Sequence, residues 1–433
     1  MTAEGRPTDS IWRHRDFVRL WWASSVSLFG SFVTRTALPF AAILVLGAGP
    51  LEIAILRALQ LIAGLLVGLF AGAWVDRLRR RPIMIAADLG RAVLLGSIPV
   101  AGLLGALSIV QVYLVAFLAA LLTTFFDVAD RSYLPTLVEP DQLVRANSAL
   151  TASASIAEFS AFGISGFLIQ LFSAPVAIAV DAVSFLVSAV LIGTIRGPEP
   201  PRPAVAEREP VLDEIRDGLR VVAGSPILRA ITGATASAHV LWGVFGTSFL
   251  LFATQDVGLG PAAIGIIAGL GGIGALVGAL IAERTGRRLG LGRAMLLTMI
   301  AFTVGNALIP LAPAGAIVIG AAFLIGQQLV GDSGGAAYEI LEVSLRQSIV
   351  DDRMLGRVNG TIRFSEDLCQ LGGTIIGGIV AETLGLRAAM AVGVLGGVAA
   401  VAFLWFSPIR RLTAVPPGPV GAFLPGEDLP LTE

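Results

Sequence analysis

Twelve runs of about 20 or more apolar residues fill this chain, and each is long enough to cross a bilayer as a helix. They lie near 17–47, 51–75, 83–105, 111–133, 143–171 and 174–195, then 227–254, 261–282, 293–311, 314–344, 354–383 and 386–407. Lipid offers the backbone no hydrogen-bonding partner, so such runs must be helical. The fold class expected is an all-α polytopic membrane protein of twelve transmembrane helices. Composition agrees: 55% of the 433 residues are hydrophobic, 14% are charged and the mean hydropathy is +0.83. The first run is too long for a cleaved signal peptide and lacks a small-residue cleavage site.

The basic residues narrow the function. All 30 are arginine. A Walker A loop needs a lysine on the β/γ-phosphates, and Schiff-base chemistry needs a lysine amine. A net charge of −1 leaves no basic field for nucleic acid. One cysteine, Cys369, and two histidines, His14 and His239, offer neither a disulfide nor a structural metal centre. No enzyme activity, cofactor, metal or nucleic-acid partner is expected; the expected partners are lipid, a small molecule and protons, around a monomer.

Arginine placement predicts the orientation. With the N-terminus inside, the outside loops carry only Arg387, while the inside segments hold clusters such as Arg77, Arg79, Arg80 and Arg81. Both termini are then cytoplasmic. The predicted organisation is a tail at 1–16, a six-helix bundle at 17–195, a cytoplasmic linker at 196–226, a second bundle at 227–407 and a disordered tail at 408–433. Within the linker, Val211, Ile215, Leu219 and Val222 share one face of an amphipathic helix, which predicts a segment lying on the membrane surface.

The two halves repeat. Val138, Leu143, Arg145 and Asn147 match Val350, Leu355, Arg357 and Asn359 at a shift of 212, and DRLRRR at 76–81 matches ERTGRR at 283–288. A six-plus-six parallel repeat is a secondary-transporter architecture, with the substrate site between the halves.

Gly72-Ala-Trp-Val-Asp76-Arg77-Leu-Arg79-Arg80-Arg81, between the second and third runs, resembles the loop signature of the major facilitator superfamily, with Arg79 where the family has Gly. The second copy, Glu283-Arg284-Thr-Gly286-Arg287-Arg288, keeps that Gly. Phe126-Asp127, Leu134-Pro135, Ala146-Asn147-Ser148, Asp181-Ala-Val-Ser-Phe185 and Gly356-Arg357-Val-Asn359 resemble the branch holding macrolide and multidrug efflux proteins and the enterobactin exporter. The resemblance implies proton-driven export through alternating access, in a bacterial inner membrane. It also implies a gate in which Asp76 caps a helix and Arg77, Arg80 and Arg81 pair with carboxylates such as Asp127. Many drug-proton antiporters of the family carry Gly-Pro in the fifth span; here Gly163 is followed by isoleucine.

Charges inside spans are costly and normally face a cavity or a partner. Arg35 and Glu158 lie mid-depth in the first and fifth runs; Glu158, among apolar neighbours, is placed either to take up a proton or to pair with Arg35 or Arg131. His239, Asp332, Arg363, Glu366 and Asp367 are further coupling or cavity candidates. Arg363 and Asp367 share a helix face and can simply pair with each other, and a satisfied buried histidine is the plainer reading of His239. Asp88 and Arg91, three apart, read as a structural pair, and Asp181 as hydrogen-bonded within the first half. Gly269-Leu-Gly271-Gly272-Ile-Gly274 matches a dinucleotide-loop pattern but lies inside a span, where helix packing explains it. The cargo expected is a partly apolar compound such as a macrolide or siderophore. An importer on the same fold and a non-transporting membrane sensor or lipid-handling protein are the alternatives.

Overall fold

The computed structural model describes residues 11–68, 78–197 and 211–414. Thirteen α-helices account for almost all of it, with no strand among the described residues. They are α1 (Arg15–Phe40), α2 (Pro50–Gly68), α3 (Arg80–Leu103), α4 (Ile109–Tyr133), α5 (Leu143–Leu171), α6 (Ala174–Gly193) and α7 (Val211–Gly224). The set continues with α8 (Pro226–Leu251), α9 (Pro261–Leu289), α10 (Leu291–Leu311), α11 (Ile317–Ile349), α12 (Asp352–Leu384) and α13 (Leu386–Trp405). Eleven of the described helices are long and apolar enough to cross a membrane. The 33-residue α12 is long enough but misses the apolar criterion, carrying Arg363, Glu366 and Asp367 mid-helix.

Local sequence explains the helix starts. Ser108, Ser173 and Ser225 cap α4, α6 and α8, their hydroxyls accepting from the amides of Gln111, Val176 and Leu228. Pro175, Pro226 and Pro261 stand in first turns, where a missing N–H costs nothing.

Contacts divide the chain into two compact units, 1–47 with 59–204, and 48–58 with 205–433. The first residues of α2 thus belong with the second unit, where Ala54 packs on Gly378 of α12. In the first unit α1 packs on α5 and α6, and α3 on α4 and α6. In the second, α8 packs on α12 and α13, and α10 on α11 and α13. This is one packing scheme built twice. Smaller features repeat too. Both α1 and α8 end in a π-helical turn, at Ala41–Val45 and Phe252–Asp256. The following loops turn on glycines in the left-handed region, Gly47 at φ +67° and Gly258 at φ +85°, where a Cβ is strained.

The linker helix α7 belongs to the second unit. It docks on α12: Asp217 accepts from Arg357 at 2.8 Å, and Gly218 sits against the Arg357 carbonyl with no room for a side chain. Val222 is buried, while Ile215 and Leu219 are exposed. The polar seam therefore faces the protein and part of the apolar face remains free.

Candidate functional site

The first half of the loop motif, Gly72, Asp76 and Arg77, lies outside the described residues. Its remainder has an unexpected role. Arg81 donates to the carbonyls of Ile192 and Gly193, and Arg19 donates to Thr194, so two guanidiniums satisfy the last carbonyls of α6. Positive charge there also complements the helix dipole. Arg81 thus pairs with backbone and not with Asp127. Asp127 instead stands in electrostatic reach of Arg91 and Arg131. Arg80 opens α3 beside Arg79, whose φ of −70° suits any residue, so the glycine of the signature is dispensable here. In the second copy, Glu283 pairs with Arg287 at 3.2 Å, and Arg284, Arg287 and Arg288 are exposed in the final turns of α9. Gly286 packs against Leu341.

The in-span charges separate into distinct groups. Arg35 and Glu158 are both exposed on the first unit, and among the described residues neither forms a hydrogen bond or ion pair. Glu158 is exposed rather than enclosed by its apolar neighbours, and among the described residues it forms no bridge to Arg35 or Arg131. The imidazole of His239 donates from Nδ1 to the Thr235 carbonyl at 2.8 Å, a bond within its own helix. Arg363 and Asp367 pair with each other at 3.3 Å, as their spacing suggested. Glu366 faces Glu342 and Tyr338 of α11, where Glu342 is bridged to Arg346 at 3.4 Å.

Asp332 is the outlier. It lies half-buried on α11 against the glycine face of α9, in space left by Gly271. The amide of Gln327 donates to it at 3.3 Å, and among the described residues no arginine reaches it. The neighbouring seam is tight. A Cβ on Gly274 or Gly278 would meet the carbonyls of Gln328 or Ser333. Ser333 donates to the Gly274 carbonyl at 2.8 Å, and Gln328 to that of Ala268 at 3.2 Å. The glycine run of α9 is thus a helix-packing surface, as its position inside a span predicted.

Sequence reasoning undervalued one region. Arg91 is clamped between the rings of Phe126 and Phe185, 4.4 and 4.0 Å from their centroids, and paired with Asp88 at 2.5 Å. The (i, i+3) spacing showed the pair but not that helices α4 and α6 close over it. Aromatic side chains on α8 form a second feature: Phe245 stacks on Phe249, and half-exposed Trp242 leans on Phe302. Phe40 at the end of α1 is fully buried.

The profile of the Major Facilitator Superfamily matches residues 20–368. The chain belongs to that superfamily. It is 24% identical to the uncharacterized MFS-type transporter YfiS of Bacillus subtilis, over 86% of this chain and 88% of that one. It is 30% identical to the multidrug efflux pump Tap of Mycolicibacterium fortuitum, over 47% of this chain and 51% of the pump. In fold, this facilitator is similar to a bacterial homologue of the iron transporter ferroportin, with a TM-score of 0.72 and 18% identity over 92% of this chain and 100% of that one. It is also similar to the nucleoside transporter NupG, with a TM-score of 0.71 and 14% identity over 90% and 97% of the two chains. It is a multi-pass membrane transporter and not an enzyme.

Proposed function

We propose that this facilitator exports a drug-like or siderophore-like, partly apolar small molecule in exchange for protons. It does so as a monomer in the inner membrane of a bacterium. Both termini face the cytoplasm, and the energy comes from the proton gradient with no cofactor. The bundles at 17–195 and 227–407 alternate access, joined by the linker at 196–226 and flanked by the tails 1–16 and 408–433.

The observation that carries this reading is Asp332. A carboxylate drawn out of water, with an amide and no cation as its partner, is expensive as an anion and inexpensive as an acid. Binding and releasing one proton therefore changes its interaction with α9 more than a permanently paired residue could. Aromatic side chains on α8 offer the adaptable apolar contacts that loose substrate recognition needs. The similarity to the Tap pump supports efflux over uptake.

The test uses everted vesicles with a pH-sensitive dye, dosed with macrolides, cationic dyes and siderophores. Wild type runs beside Asp332→Asn and Glu158→Gln. Compound-dependent proton release in wild type, lost in Asp332→Asn and kept in Glu158→Gln, is the expected result. Equal proton release in wild type and Asp332→Asn would overturn the role of Asp332, and accumulation of a compound from the opposite face would replace export by import.

A further inference from the structure

Among the described residues, the most deeply buried charges lie in the first unit, and Asp332 is not one of them. Asp88 and Arg91 on α3 and Asp181 on α6 are 0%, 2% and 1% exposed. Arg91 holds Asp88 in its ion pair and also acts on Asp127 and Asp181. Asp130 accepts from the Ser24 hydroxyl at 3.2 Å and stands near Asp127, Asp88 and Arg131. Among the described residues, four carboxylates (Asp88, Asp127, Asp130 and Asp181) therefore lie in reach of two guanidiniums, Arg91 and Arg131.

Asp181 is the worst served of the four. It has no guanidinium in hydrogen-bonding contact; one oxygen accepts from Ser184 at 3.0 Å and the other, Oδ2, is buried without a donor. Around it, α1 contributes Thr34 and the close approach of Gly30, and α3 contributes Arg91 and Asp88. The hydroxyls of Thr34 and Ser188 lie beside Asp181 and Asp88, sealed from solvent, yet neither closes a well-formed hydrogen bond. Asp127 is exposed and Asp130 half-buried, so water serves them; Asp181 is wholly buried, and a carboxylate left so is costly as an anion.

The packing itself does not need these charges. The second unit builds the same α3-on-α6 contact as α10 on α13. Its matching stretches, 295–301 and 391–394, read MLLTMIA and AVGV and are uncharged.

We propose that Asp181 binds a proton, making the first unit a second proton-binding site of the transporter, separate from Asp332. The proton comes from water and adds to the carboxylate. The resulting O–H has the Thr34 oxygen alongside as an acceptor, while Arg91 remains with Asp88 and Asp127. The site stands on the first unit alone and holds whichever direction the cargo moves.

The experiment needs no cargo. Infrared spectra of the purified full chain in lipid nanodiscs at neutral pH report the carbonyl stretch of protonated carboxyl groups. An Asp332→Asn background removes the contribution of the other site. Asp181→Asn in that background should lose a protonated-carboxyl band and keep its melting temperature, because asparagine mimics the neutral acid. Asp88→Asn should melt earlier, because it strips Arg91 of its ion pair. If the band survives Asp181→Asn, or if Asp181→Asn melts as early as Asp88→Asn, Asp181 is an anion and the proposal falls. A melting loss in Asp181→Asn that Asp181→Leu repairs would also overturn it, by showing that charge on this side chain was only a burden. Proton release retained in Asp332→Asn with an intact Asp181 band would overturn the Asp332 reading and leave this site standing, so the two readings fail separately.

Discussion

Replacing Arg91 by methionine should cost more than any other single side-chain change in the first unit. The guanidinium is 2% exposed and its partner Asp88 is wholly buried. Removing one member of such a pair leaves a buried charge uncompensated, worth about 3–5 kcal/mol. The two ring contacts at 4.4 and 4.0 Å are lost as well. Each is worth about 0.5–2 kcal/mol as a cation–π interaction, of which sulfur–aromatic contact returns about 0.3–1.5 kcal/mol. The ion pair therefore dominates, and the expected loss stays near 3–5 kcal/mol. Replacing Asp88 by leucine in the same molecule removes the stranded charge, and exchanging both members of a buried pair for apolar residues is often neutral. Reversible unfolding in mixed micelles, followed by tryptophan fluorescence, reads both variants. A loss below about 1 kcal/mol for Arg91→Met, or a double variant that merely adds the two single losses, would refute the argument, because neighbours in one network should couple.

Three further changes test other parts of the structure. Gly278→Val drives a branched side chain into the Ser333 carbonyl and should separate α9 from α11, at about 1–3 kcal/mol or more, seen as lost monodisperse protein on size-exclusion chromatography. Arg81→Ala uncovers the final carbonyls of α6 and should cost about 1 kcal/mol in melting experiments, with Arg81→Lys recovering part of it. Gly218→Leu should undock α7 from Arg357, and faster trypsin cleavage at Arg216 and Arg220 would reveal it; unchanged cleavage would show that the helix is held elsewhere.

The number, length and repetition of the helices were legible because lipid forces one solution on any run of about 20 apolar residues. The charged residues were less legible for a related reason. An apolar run marks depth but not azimuth, so Glu158 and Asp181 look alike in sequence, each a lone carboxylate between hydrophobic neighbours. The fold leaves Glu158 exposed and closes α1 and α3 over Asp181. Spacing within one helix was more informative: Arg363 with Asp367, and Asp88 with Arg91, pair as their intervals dictate. Partners on other helices were out of reach. Nothing in the sequence links Arg81 to the carbonyl of Ile192, 111 positions away, or Asp217 to Arg357, 140 positions away.

The repeat then separates charges that build the fold from charges that do something else. Both units pack the same helix pairs, and both end their first helix in a π-helical turn followed by a left-handed glycine. The contact of α3 on α6 holds buried charge, while the matching contact of α10 on α13 has none, so that contact does not require it. The buried Asp88–Arg91 pair and Asp181 occur in the first unit, where the second has MLLTMIA and AVGV. The unpaired Asp332 occurs in the second, and its counterpart at the shift of 212 is Ala120. Each unit thus carries a costly carboxylate that its twin folds without. A pair of such residues, one per unit, lets protonation act separately on each half of the molecule. Coupling through a single residue would instead make transport blind to the protonation of the first unit, and Asp181→Asn would then leave the pH dependence of transport unchanged.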